Sequence, residues 1–216
     1  MTSAICSSFS RFTPAFSPEE QALCQRLEEA LTKRMLPLKP RRLAHCKSVA
    51  HTASYLAHVY GADEKQAYVA GLLHDWDKVL SAEEELSKAA AYGISLNVPK
   101  QDVLKTAPLL HGMTAAAELR ERFPELPPAV IQAIDRHTIA HPQMSDLDMV
   151  VFVADGIEPL RAGAPSIERT RSIVGESSLF ELFFSSFSSG LAYVIETNRF
   201  VYPKSIELYN SFIEKL

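Results

Sequence analysis

The sequence lacks the features that mark several large classes of protein. It has no block of clustered lysine or arginine, and its formal net charge is -4. That excludes the electrostatic footprint of non-specific nucleic-acid binding. A phosphate-bearing ligand remains compatible, because bound cations reverse the local field. Cysteine is scarce: the 3 residues Cys6, Cys24 and Cys46 contain no CxxC pair and cannot all be bridged. This usage points to a reducing compartment, with the cytoplasm as the expected location. Residues 1–16 are Ser-rich with a single Arg11 and have no charged start followed by a continuous apolar stretch, so they are read as a disordered tail and not as an export signal. The apolar stretch Leu179–Ile195 is broken by Glu181 and by serines, which makes it a core helix and excludes a membrane span. Alternating strand patterns of useful length and internal repeats are also missing.

What is present is the composition of one ordinary globular domain: 216 residues, 47% hydrophobic and 22% charged, enough to bury a full core. Helix signals recur along the chain. Ser17-Pro18-Glu19-Glu20 reads as an N-cap, a proline at the first helical position and a capping-box glutamate. Leu23, Leu27, Leu31 and Met35 follow at helical spacing until Pro37 and Pro40 close the segment. A second helix is expected over Arg41–Tyr60, stopped by Gly61. Asp63 with Gln66 opens a third that runs into His74-Asp75, and Ser81 with Glu84 opens a fourth that ends at Tyr92-Gly93. Pro108 is expected to open the next, with His111 in its first turn, followed by helices from Pro127-Pro128, over Leu147–Glu158, over Ser178–Asn198 and over Pro203–Leu216. The expected fold is an all-α bundle. Residues 17–216 form its single domain, with the motif-bearing part in 41–161 and a C-terminal helical extension in 162–216.

The chain is organised around Ala70-Gly71-Leu72-Leu73-His74-Asp75-Trp76-Asp77-Lys78. Neighbouring helical residues point about 100° apart, so His74 and Asp75 converge on one point only if the helix ends there and that point is buried. An imidazole and a carboxylate at such a point are natural metal ligands. The plainer alternative is that the pair marks where a buried helix reaches solvent. Four further polar residues weigh against that alternative. His45 lies on the apolar stripe of the second helix with Val49 and Leu56; His111 and His137 lie on the apolar faces of theirs. Asp155, flanked by Val151, Phe152, Val153 and Ala154, is expected to be buried, which is costly unless it is paired or bound to a cation. Core histidines are common one at a time. Six such residues on inward faces of one small bundle suit a dinuclear site built from facing helices. Imidazole and carboxylate without thiolate suit iron, manganese or cobalt better than structural zinc. His51, His58 and His141 fit this set less well, and His51 and His58, which fall off the His45 stripe, are read as surface or structural.

These residues carry a resemblance. His45, His74-Asp75 and Asp155 resemble the HD superfamily of metal-dependent phosphohydrolases, and the finer pattern resembles its YqeK branch, the symmetrical bis(5'-nucleosyl)-tetraphosphatases. The matching blocks are Arg42-x-x-His45, Ala70-Gly71-Leu72-Leu73-His74-Asp75-x-x-Lys78, Leu110-His111-Gly112, Ala133-Ile134-x-x-His137-Thr138 and Val153-Ala154-Asp155-x-Ile157-Glu158-Pro159-x-Arg161. They stand in the family's order and cover Arg42 to Arg161. Two places depart from the pattern: Trp76-Asp77 replaces an aromatic followed by a small residue, and Ala140-His141-Pro142 replaces a Gly-Arg-Pro.

The resemblance implies an HD-type bundle with a buried dinuclear metal site. It implies one metal held by His45, His74, Asp75 and Asp155 and a second held by His111 and His137, with Asp75 bridging, and iron as the first choice. Two metals about 3.5–4 Å apart activate a water and clamp phosphoryl oxygens. The implied reaction is hydrolysis of diadenosine tetraphosphate into two ADP, with Asp75 central and Lys78 and Arg161 as phosphate clamps. Arg42 and Glu158 are implied to support the ligands, whereas Gly112 and Thr138 are assigned to packing. The expected partner is a dinucleoside polyphosphate, with no nucleic acid and no membrane; a homodimer is left open. Three alternatives keep a different chemistry in view: another nucleotide or phosphate ester as substrate, a di-iron oxygenase, and a non-catalytic metal-binding module.

Overall fold

The computed structural model describes residues 4–161 and 163–216. Among them the secondary structure is helical throughout: α1 (Ala4–Arg11), α2 (Pro18–Met35), α3 (Pro40–Tyr60), α4 (Glu64–Leu73), α5 (Ala82–Ala91), a single 3-10 turn (Lys100–Asp102), α6 (Val103–Arg122), α7 (Pro128–Arg136), α8 (Asp146–Ile157), α9 (Pro165–Ser172), α10 (Leu179–Glu196) and α11 (Pro203–Ile213). The start signals act as the sequence suggests. Ser17, Ser81, Ser145 and Ser178 each close a capping box with the acidic residue three positions on, satisfying amide protons that a helix start leaves without partners. Gly61 ends α3 in the left-handed conformation, at φ 76°.

Three expectations need correction. Residues 4–11, assigned to a disordered tail, form α1; Cys6 and Phe9 are buried, the Phe9 ring meets Tyr55 of α3 edge-on, and the Phe12 carbonyl is 2.8 Å from Nδ1 of His51. A single helical turn of apolar residues is enough to dock a Ser-rich segment, and composition alone does not reveal it. Met1–Ser3, the rest of that expectation, lie outside the described residues. Second, Pro108 does not open α6 but sits inside it. The helix begins 5 residues earlier, at Val103, because a proline one turn in deletes only one backbone bond near a helix end. Third, α9 was not foreseen; it carries few apolar residues and buries Thr170 and Arg171, whose guanidinium donates to the carbonyls of Ile157 and Glu158 at 2.9 and 2.7 Å.

The helices α3, α4 and α8 form the centre of the bundle, with α7 closing over α4 and α10 over α8. Small residues set the closest approach. Ala50, Ala53 and Ala57 of α3 face Ala67, Ala70 and Gly71 of α4, all buried. A Cβ at Gly71 would lie 3.0 Å from both the Ala50 Cα and the Val49 carbonyl oxygen. No side chain fits there unless the helices part, so glycine fixes the α3–α4 distance and, with it, the separation of His45 from His74. Gly112 does the same between α6 and α7, where a Cβ would stand 2.8 Å from the Ile134 carbonyl oxygen and 3.0 Å from the His137 ring. The turn after α4 is pinned from outside: the Arg34 Nε donates to the Trp76 carbonyl at 2.8 Å, and Asp77 is paired with Arg34 and Lys88. The Trp76-Asp77 departure from the family pattern is thus a buried anchor, as both side chains are essentially inaccessible. No helix among the described residues is long and apolar enough to cross a membrane.

Gly71→Ala is expected to destabilise the protein by about 1–3 kcal/mol, as overpacking of a tight core does. Thermal unfolding followed by circular dichroism should show a lowered midpoint; an unchanged midpoint would mean that α3 and α4 separate without cost.

Candidate metal centre

The six residues singled out from the sequence meet at one place. His45 comes from the first half of α3, His74-Asp75 from the end of α4, His111 from α6, His137 from the end of α7 and Asp155 from the last turns of α8. Asp75 stands between the histidines. Its Oδ2 is 3.3 Å from His74 Nε2 and 3.6 Å from His45 Nε2, whereas its Oδ1 is 3.2 Å from His111 Nε2 and 3.9 Å from His137 Nε2. Asp155 Oδ1 completes the first side, at 3.0 Å from His45 Nε2 and 3.7 Å from His74 Nε2. One carboxylate therefore presents one oxygen to each of two histidine pairs.

All four imidazoles turn the same nitrogen inward. His74, His111 and His137 hold Nδ1 at 2.7, 2.9 and 2.7 Å from the carbonyls of Gly71, Pro108 and Ile134, each three residues back on the same helix. His45 differs: its Nδ1 lies 3.0 Å from Glu158 Oε1. Anchoring one ring nitrogen fixes the tautomer and frees the other as a ligand. Two of the freed atoms, Nε2 of His45 and of His74, are buried without a hydrogen-bond partner, whereas those of His111 and His137 lie 3.0 Å from each other. Buried polar atoms left orphaned cost free energy, and a cation relieves that cost. The ligand atoms of His45, His74 and Asp155 lie within 4.8 Å of one another, as do those of His74, Asp75 and His137. These residues can hold a metal, and the donor set of neutral nitrogen and anionic oxygen fits the group.

The charges point the same way. Burial opposes ionisation of Asp75, but the neighbouring His74 and His111 outweigh it and hold its carboxyl well below the usual range. Asp155 is held low despite burial by His45 and Arg161. For His137, burial and the adjacent His111 push the value down to about 3, so the ring is neutral and ligand-ready. His45 goes the other way: burial lowers its value, but Asp155 and Glu158 prevail and raise it to about 9. In the cation-free protein, a proton on His45 supplies the positive charge that the carboxylates require.

Around this core, Arg42 Nη1 donates to Asp75 Oδ2 at 2.8 Å, and Arg161 pairs with Asp155 through its Nη2 while its Nε donates to the Asp155 carbonyl. Glu158 shares its second oxygen with the Leu160 amide at 2.7 Å. Asp155 was expected to be buried; its side chain is 26% exposed, and its partner Arg161 lines a groove. That groove, about 400 Å³, is lined by Arg41, Arg42, His45, Leu160 and Arg161. Beside His111 a smaller cavity of about 200 Å³ is lined by Lys39, Lys78, Glu85, Pro108 and His111. Burial pushes the Lys78 ammonium down from its usual value. Thr138, assigned to packing, instead brings its hydroxyl to 3.1 and 3.2 Å from His111 and His137 Nε2; its place directly after a candidate ligand was the signal. Lys39, Arg41 and Glu85 carry no local sequence signal and are found only through the fold. His51, His58 and His141 bond elsewhere and stay outside the cluster.

A raised histidine value stabilises the folded state fully below the unfolded value near 6.5, and this contribution is lost as pH rises through about 9. Urea unfolding of the cation-free protein should therefore show stability falling across this window. Glu158→Gln, which removes one of the two raising partners, should flatten the fall; an equal slope in both proteins would mean that Glu158 does not hold the proton on His45.

Comparison with known proteins agrees with this geometry. The family described as HD domain matches residues 42–160. A protein of Halalkalibacterium halodurans named "Bis(5'-nucleosyl)-tetraphosphatase, symmetrical" is 32% identical over 177 residues, covering 82% of this chain and 91% of that one. One of the same name from Bacillus subtilis is 30% identical over 183 residues, covering 85% and 95%. A crystal structure from Clostridium acetobutylicum, titled a predicted HD superfamily hydrolase involved in NAD metabolism, superposes with a TM-score of 0.78 at 28% identity, covering 89% of this chain and 97% of that one. The chain belongs to the HD domain family, within the group whose curated members are named symmetrical bis(5'-nucleosyl)-tetraphosphatases.

Proposed function

We propose that this chain is a metal-dependent hydrolase that cleaves diadenosine tetraphosphate symmetrically into two ADP. The observation that carries the reading is the placement of Asp75, one oxygen toward His45 and His74 and the other toward His111 and His137. In this reading His45, His74, Asp75 and Asp155 hold one cation, and His111, His137 and Asp75 hold a second, iron being the first choice and manganese or cobalt the others. Bound cations supply Lewis acidity, lowering the pKa of a water and neutralising charge on phosphoryl oxygens.

The chain's own residues do the rest. Arg42 and Arg161 line one groove, and their guanidiniums pair with Asp75 Oδ2 and Asp155 Oδ1, the same oxygens that face His45 and His74. A guanidinium fork matches two phosphate oxygens at once, so these arginines orient the polyphosphate beside the centre. Lys39 and Lys78 line the cavity beyond His111. In this reading a substrate of two equal halves lies with its middle linkage at Asp75. The four buried histidines exclude bulk water, which strengthens every charge contact inside.

Products of diadenosine tetraphosphate separated by chromatography test the reaction. Manganese- or iron-loaded wild type should yield ADP alone, and Asp75→Ala should yield nothing and lose both cations by elemental analysis. ATP with AMP would relocate the cleavage, and intact substrate with metal bound would turn attention to another phosphate ester or an oxygenase. Arg161→Ala should lower kcat/KM by roughly 10–100-fold, the loss of charge-assisted hydrogen bonds; an unchanged kcat/KM would place the phosphates elsewhere.

A further inference from the structure

A separate cavity of about 480 Å³ opens between the end of α8, α9 and α10. It adjoins the groove beside the metal centre, since Arg161 lines both. Its size falls within the usual range of small-molecule sites. Its lining is unlike a core. Ser166, Ser186 and Ser189 contribute hydroxyls, and Tyr193 and Arg199 form the far wall. The Tyr193 ring is 52% exposed and is backed by the Arg199 guanidinium, 5.1 Å from its centroid and 3.3 Å from its hydroxyl. A flat ring braced by a cation offers a stacking face that is already ordered.

Gly190 lines the cavity at an exposed position of the helix, with no atom within 4 Å of where its Cβ would be. Gly190 lies inside α10, where any residue but proline would favour the helix more by propensity alone. Glycine here therefore leaves room in the cavity and weakens the helix that forms its wall.

We propose that this cavity is a nucleoside site. It takes the base and ribose of one half of the substrate, with the base on Tyr193 and the hydroxyl-bearing serines around the sugar and base edge, while Arg161 holds the phosphate chain where it passes from the metal centre into the cavity. This assignment rests on the function proposed above and extends it, since nothing in the metal centre itself distinguishes a nucleoside polyphosphate from a bare one. The cavity supplies that distinction through stacking, which is tolerant of the identity of the base.

Two substitutions test it in the metal-loaded full chain. Gly190→Phe fills the cavity from an open helical position, and Tyr193→Ala removes the stacking face at an exposed site; circular dichroism establishes that each folds. Each should raise KM for diadenosine tetraphosphate by roughly tenfold or more, the usual scale of a lost base–aromatic stack, and weaken calorimetric binding of ADP by a similar factor. Wild-type KM and wild-type ADP affinity in both variants would overturn the nucleoside site and leave the hydrolase standing. A wild-type protein that leaves diadenosine tetraphosphate intact would overturn the proposed function and this assignment with it.

Discussion

The position of the Asp75 carboxylate in the interior constrains everything around it. An ionised carboxylate taken out of water is tolerated only with charge or hydrogen bonds to match. Arg42 is the one permanently charged side chain bonded to it, and the remaining neighbours are imidazoles that carry charge only when protonated. Two carboxylates and four inward nitrogens make a cage whose electrostatics favour a cation. The helices serve that cage: glycines at 71 and 112 let two helix pairs approach closely enough for the side chains to converge, and the anchored Trp76-Asp77 turn holds Asp75 where α4 stops.

Outside the cage the distribution of charge changes sign. The chain as a whole is acidic, with a net charge of -4, yet arginines and lysines gather on the two openings that flank the centre. This local reversal attracts a polyanion to a protein that otherwise repels one. It also explains why net charge was informative about nucleic acid and uninformative about a phosphorylated substrate: the first is recognised by a broad surface, the second by a few residues.

Most of the site was legible in the sequence because each ligand sits on an apolar stripe, where a histidine or aspartate stands out against its neighbours. His45 beside Val49 and Leu56, and Asp155 within Val151–Ala154, are of this kind. The helices with capping boxes were legible for a local reason too, since a serine and an acidic residue three positions apart interact whatever the rest of the chain does. What escaped was tertiary. The docking of α1 depends on Tyr55 and His51 of α3, and the start of α6 ahead of Pro108 depends on packing that outweighs one missing bond. Glu85 became visible only through burial and its contact with Thr114. No local pattern in the chain encodes such relations.

The anchoring of the four rings also bears on the order in which the centre comes together. Three of them are oriented by carbonyls three residues away, so each is set as soon as its own helix forms. His45 depends on Glu158, 113 residues further along the chain, and Asp155 arrives on the same helix end. Contacts of such long separation pay the loop-closure entropy last. A chain emerging from the ribosome thus carries three correctly turned imidazoles before it has a cage, which is complete only when α8 closes on α3.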